Sequence, residues 1–165
     1  ILMIPIIGIQ NTMATFAGQN MGARQPEPVS KGLGQGVLVS VLMTAALCLC
    51  QLLGMELIIR AFKLDAAAAA ICQQHLFASV LSEPIFAIYF PANGMFQGVG
   101  EGFHATFYAL MALGLRVVFA YSLYRTAVFG YTAIWWSQAM AWTLTLITCY
   151  AHFFRGRWKE KSLVA

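Results

Sequence analysis

Residues 32–55 read GLGQGVLVSVLMTAALCLCQLLGM, twenty-four in a row without a formal charge. A hydrocarbon core about 30 Å thick is crossed by about 20 helical residues, so this stretch has the length and polarity of a membrane-spanning helix. Its Gly32, Gly36 and Ser40 recur every four residues, which lets a neighbouring backbone approach closely. The rest of the chain agrees. Of 165 residues, 60% are hydrophobic and 10% charged, against about 25% charged in a soluble domain, and the mean hydropathy is +0.72. So little polar surface cannot coat a particle in water, and the fold class is all-α integral membrane. Disorder and a disulfide scaffold are excluded by the same numbers. A nucleic-acid domain is excluded because the net charge of +4 is carried mostly by the last eleven residues rather than by a basic face. Cys48, Cys50, Cys72 and Cys149 all lie in apolar runs and read as small apolar fillers; Cys48 and Cys50 project about 200° apart on a helix and cannot share a metal.

Working outward, charges, prolines and glycine clusters divide residues 1–165, read as a single membrane domain, into spans at about 1–17, 32–55, 66–95, 105–124 and 126–154. The chain opens on Ile1 rather than Met and is expected to begin within a longer protein. Gly18 to Lys31 reads as a loop, because Pro26 and Pro28 do not continue a helix. Glu56 and Arg60, one turn apart, can pair. Asp65 before five alanines reads as a helix N-cap. The third span carries Pro84 and Pro91 on one face, each freeing a carbonyl four residues back, at Val80 and Ala87, and freed carbonyls in lipid need protein or water. Gly94 to Gly102 reads as a flexible turn and not a nucleotide loop: Phe103 stands at the third glycine position of GxGxxG, and no strand precedes it. Trp135, Trp136 and Trp158 are expected as interface anchors of the fifth span.

Five spans alternate the loops between two sides. One side carries Arg24, Lys31, Arg155, Arg157, Lys159 and Lys161, the other Arg60, Lys63 and Arg125, so the first is expected to be cytoplasmic, with the C-terminus inside the cell. The basic tail beside Trp158 serves either to anchor that topology or to recruit anionic lipid.

The punctuation between spans resembles that of the multidrug and toxic compound extrusion (MATE) transporters. The residues that carry the resemblance are Gly18-Gln19-Asn20 with Gly22-Ala23, Phe62 with Asp65, Gln97-Gly98-x-Gly100, Arg116 inside the fourth span, and Phe154-Arg155-Gly156-Arg157-Trp158. It implies twelve helices in two six-helix lobes around a central cavity, of which this chain matches the second lobe from its second helix onward. It also implies export of cationic, amphipathic or aromatic compounds from the cell (inner) membrane in exchange for protons or sodium ions, with no cofactor beyond the coupling ion. Partners would be membrane lipid, the organic substrate and the missing N-terminal lobe. Gly100-Glu101 stands where the family usually has Gly-Asp.

Glu83 is the first candidate for ion coupling, because a charge at mid-span costs about 2.5 kcal/mol or more facing lipid; the alternative is a structural carboxyl. Arg116 is its natural partner. Counting about 1.5 Å per residue puts their depths roughly 6 Å apart, within reach of a guanidinium stem, either as a helix clamp or as a transport element. His75, in a polar stripe with Gln73, Gln74, Ser79 and Ser82, is either a proton relay or a hydrogen-bonded residue near the outer vestibule. Tyr89 and Asn93 are candidates to line the cavity, or ordinary packing. His104 and His152 fall at span ends where wetting explains them. No Ser-His-Asp, HExxH, P-loop or paired-carboxylate pattern appears, so no enzyme is expected. The rivals to drug export are a lipid-linked oligosaccharide flippase, whose cavity would need several cations where this chain offers Arg116, and a non-transporting assembly fragment.

Overall fold

Five helices run antiparallel in chain order in a computed structural model that describes residues 3–126 and 128–160: α1 Met3–Gly22, α2 Pro26–Ala61, α3 Ala66–Gly98, α4 Gly102–Tyr124 and α5 Ala133–Arg155. Short 3₁₀ turns follow at Gly130–Thr132 and Arg157–Glu160, and no strand occurs among the described residues. Ile1 and Lys161 lie outside them. α3 is the centre of the bundle and packs on each of the other four helices. The molecule is a multi-pass membrane protein. α2, α3 and α4 are both long and apolar enough to cross a membrane. α1 and α5, of 20 and 23 residues, reach the required length but carry more polar side chains. They fold these back on themselves: Thr12 donates to the Gly8 carbonyl and Thr15 to Asn11 in α1, as do Thr143 to Ala139 and Thr145 to Ala141 in α5. Such bonds satisfy hydroxyls without water.

Three boundaries differ from the sequence expectation, each for a physical reason. The expected loop from Gly18 to Lys31 shrinks to residues 23–25, because Pro26 and Pro28 stand in the first turn of α2, where the missing N–H has no intrahelical acceptor to lose. α2 therefore reaches 36 residues, about 54 Å, and overshoots the hydrocarbon core. The expected turn at Gly94 to Gly102 is helical as far as Gly98, and only residues 99–101 turn. Gly94 and Gly98 are a seam instead. A Cβ on Gly94 would overlap the Gln10 carbonyl, and one on Gly98 the Ala14 carbonyl, so these glycines let α1 and α3 meet backbone to backbone. Finally, α5 begins at Ala133 rather than 126, after Gly130 turns the chain at φ +47°.

Other expectations hold. Asp65 caps α3, its carboxylate accepting from the Ala68 N–H at 2.7 Å, and Glu56 pairs with Arg60 at 3.2 Å. Gly32 and Gly36 face Phe16 and Met13 of α1. Trp158 does not anchor at an interface: it is fully buried, stacked on Phe153 with ring centroids 5.6 Å apart, and donates its indole N–H to the Phe153 carbonyl. Gly156, at φ +71°, closes α5 in the left-handed conformation and turns Trp158 back onto the bundle.

Candidate functional site

The polar residues of α3 fall into three environments along its length. The first is that of buried Asn93, whose side chain is fully engaged. Its Oδ1 accepts from Gln10 Nε2 at 2.9 Å and Gln97 Nε2 at 2.7 Å, while its Nδ2 donates to the Tyr89 hydroxyl at 2.8 Å and the Ala105 carbonyl at 2.9 Å. One amide thus ties α1, α3 and α4 together. Tyr89 is buried with it and packs edge-on against Trp142 of α5, centroids 4.9 Å apart. Phe86 and Phe90 complete an aromatic cluster around that indole. α5 also bonds to the α3 backbone: Tyr150 donates to the Ile88 carbonyl at 3.2 Å. Tyr89 and Asn93, candidates either to line a cavity or for ordinary packing, are brought together here in a packed network.

Glu83, two turns and more toward the other end, is buried but treated differently. Its Oε2 has no hydrogen-bond partner among the described residues. The buried face of α2 carries Ser40, Thr44 and Cys48, spaced by four, and the hydroxyls of Ser40 and Thr44 are likewise without partners among the described residues. The expected ion pair with Arg116 does not form. Arg116 sits on an exposed face of α4 and, with His75, Ser79, Ser82 and Gln138, lines a small polar cavity of about 30 Å³, room for a single water. Arg116 stands level with Ser82, the neighbour of Glu83, but successive residues on a helix point about 100° apart, and Glu83 is turned away from that cavity. His75 joins that cavity and leans on the Trp135 ring, centroids 5.4 Å apart.

A third group, missed in the sequence, lies at the end of the bundle that also gathers Arg24, Lys31, Arg155 and Arg157. Buried Glu101 presents Oε2 to His152 Nε2 at 3.2 Å and to His104 Nδ1 at 3.5 Å. His152 Nδ1 meets the Tyr108 hydroxyl at 2.6 Å, and its ring stacks on Phe96 at 4.8 Å and 10°. They line a pocket of about 500 Å³ with Arg155 and Arg157. Local spacing gave half the signal, since Glu101 and His104 are three apart on one turn. The other half comes from a residue on a different helix, which no periodicity reveals.

Residues 1–122 match the MatE family. The chain belongs to that family. No curated protein and no solved structure matches it. As a MatE protein it is a membrane transporter rather than an enzyme. The residues that carried the resemblance to MATE transporters now have physical roles. Gly18 of α1 lies against Gly98 of α3 in the glycine seam, Asp65 caps α3, and Gly156 and Trp158 close α5. Within the MatE match, Glu83 is a buried carboxylate on the proline-bearing central helix, with an oxygen that has no hydrogen-bond partner among the described residues.

Proposed function

We propose that this MatE protein forms part of a secondary antiporter that exports cationic or aromatic organic compounds in exchange for protons or sodium ions, with Glu83 as the coupling acid. The observation that carries the reading is the buried Glu83 Oε2, which has no hydrogen-bond partner among the described residues. An intramembrane carboxylate is stable when it is protonated or bound to a cation and costly when bare, so its occupancy changes the energy of the helix that bears it. Pro84 and Pro91 lie in that helix, and proline-broken ladders are where spanning helices bend. In this reading a second lobe, in the same full-length protein, covers the apolar faces left outward on α2 and α4, such as Leu42, Leu53, Leu110 and Leu113. The two lobes rock about a cavity between them. No cofactor is needed beyond the coupling ion, and membrane lipid covers what the second lobe does not. The protein resides in the inner membrane with the basic end, and the C-terminus, in the cytoplasm.

Two measurements test this. Liposomes containing the full-length gene product should expel a cationic aromatic dye when a proton or sodium gradient is imposed, and liposomes containing the 165-residue chain alone should not. Transport by the chain alone would overturn the two-lobe reading. Cysteines placed at exposed Gln25 and Glu160, in a background without native cysteines, should both be shielded in intact cells from an impermeant maleimide. Labelling of either from outside would reverse the topology.

A further inference from the structure

We propose that Glu101, His104 and His152 form a binding site for a zinc-class divalent ion that ties the start of α4 to the end of α5. The ligand atoms are Glu101 Oε2, His104 Nδ1 and His152 Nε2, all within 4.8 Å of one another. Zinc–ligand bonds of about 2.0–2.1 Å arranged tetrahedrally put neighbouring ligand atoms about 3.4 Å apart. The carboxylate oxygen stands 3.2 Å from one histidine nitrogen and 3.5 Å from the other. A small rotation of the half-exposed His104 ring toward His152 completes the third edge.

The surroundings favour a metal over a simple ion pair. Glu101 is the N-cap residue of α4, and its carboxylate faces both histidines instead of making a capping hydrogen bond to the helix. Metal-bound histidines characteristically use their second nitrogen for an orienting hydrogen bond. His152 has that arrangement: Nδ1 is held by the Tyr108 hydroxyl at 2.6 Å, which leaves Nε2 directed at Glu101, and the Phe96 ring fixes the imidazole plane. With Nε2 on a metal, Nδ1 carries the proton and donates to the tyrosine oxygen. Three protein ligands leave a fourth position, which opens on the pocket of about 500 Å³. Arg155 and Arg157 line that pocket and would favour an anionic fourth ligand, such as hydroxide or chloride, over a second cation. Two nitrogens and one oxygen suit zinc and its first-row neighbours and disfavour magnesium and calcium, which take oxygen ligands.

The test is isothermal titration of zinc chloride into the purified 165-residue chain in detergent, with magnesium and calcium chloride as comparisons and cobalt(II) as a spectroscopic probe. One equivalent of zinc should bind, and neither magnesium nor calcium should displace it. His104→Ala, on a partly exposed ring that leaves the fold intact, should weaken binding at least 100-fold, and His152→Ala should do the same. Tyr108→Phe, which removes the orienting hydroxyl, should weaken it roughly 10-fold. His75→Ala, on the opposite half of the bundle, should leave it unchanged. The bound cobalt should show tetrahedral ligand-field bands without thiolate charge transfer. Absence of one-equivalent binding overturns the proposal, as does binding that survives in both His104→Ala and His152→Ala, or a thiolate charge-transfer band, which would put the ion on a cysteine.

Discussion

Asn93 and Glu83 lie ten residues apart on the same helix, both buried and both polar, and the protein treats them in opposite ways. Asn93 spends all its hydrogen-bonding capacity on Gln10, Gln97, Tyr89 and Ala105. Glu83 keeps a buried oxygen with no partner among the described residues. A fully satisfied amide in low dielectric holds three helices in one arrangement, and its value is rigidity. An unsatisfied carboxylate makes the opposite bargain, since it destabilises the state it sits in unless a proton or cation arrives. On the function proposed above, one half of α3 is a joint and the other a receptor. The glycine seam belongs to the first half, because Gly94 and Gly98 flank Asn93 and Gln97 and bring Gln10 within bonding distance.

Substitutions can break this contrast. The largest effect on stability is expected from Asn93→Leu, which strands the Tyr89 hydroxyl and the Gln10 and Gln97 amides. A loss on the order of 3 kcal/mol follows from leaving buried groups unsatisfied, and thermal unfolding of the chain in detergent would show it. Gly94→Ala comes next, at about 2 kcal/mol, because the new methyl overlaps the Gln10 backbone and forces α1 off α3. Glu83→Leu should act with the opposite sign and raise stability by about 1 kcal/mol, by removing a buried carboxylate whose Oε2 has no hydrogen-bond partner among the described residues. If Glu83→Leu instead destabilised as much as Asn93→Leu, the two residues would be doing the same job and the contrast would fail. Smallest are Arg116→Gln and Gly34→Ala, each within about 0.5 kcal/mol, since Arg116 makes no ion pair with Glu83 and a Cβ on Gly34 meets nothing within 4 Å. A large loss on Arg116→Gln would restore the clamp that the sequence suggested.

The division between joint and receptor was only partly legible in the sequence. Charge-free runs revealed the helices because the bilayer requires continuous apolar length, and Asp65 marked its cap because capping is local. Pro26 and Pro28 misled, since a proline that ends one helix and a proline that begins the next look alike until the turn between them is known. Gly94 and Gly98 misled in the same way: in water two such glycines loosen a helix, whereas against another helix they close it. Tyr89 and Asn93 could be paired by their spacing of four, but Gln10 and Ala105 complete their network from other helices. Glu83 was found by cost alone, a charge where charges are expensive. His152 escaped because its partners, Glu101 and Tyr108, lie more than forty residues away along the chain.

The account rests on Glu83 being a receptor rather than a fixture, and Glu83→Gln tests it most directly because the amide keeps the shape and removes the ionisable oxygen. In the full-length protein, at normal expression in the membrane, Glu83→Gln should abolish efflux of a cationic dye driven by a proton or sodium gradient, while Arg116→Gln should keep it. Gradient-driven efflux at the unsubstituted rate in Glu83→Gln would contradict the account and move the coupling acid elsewhere.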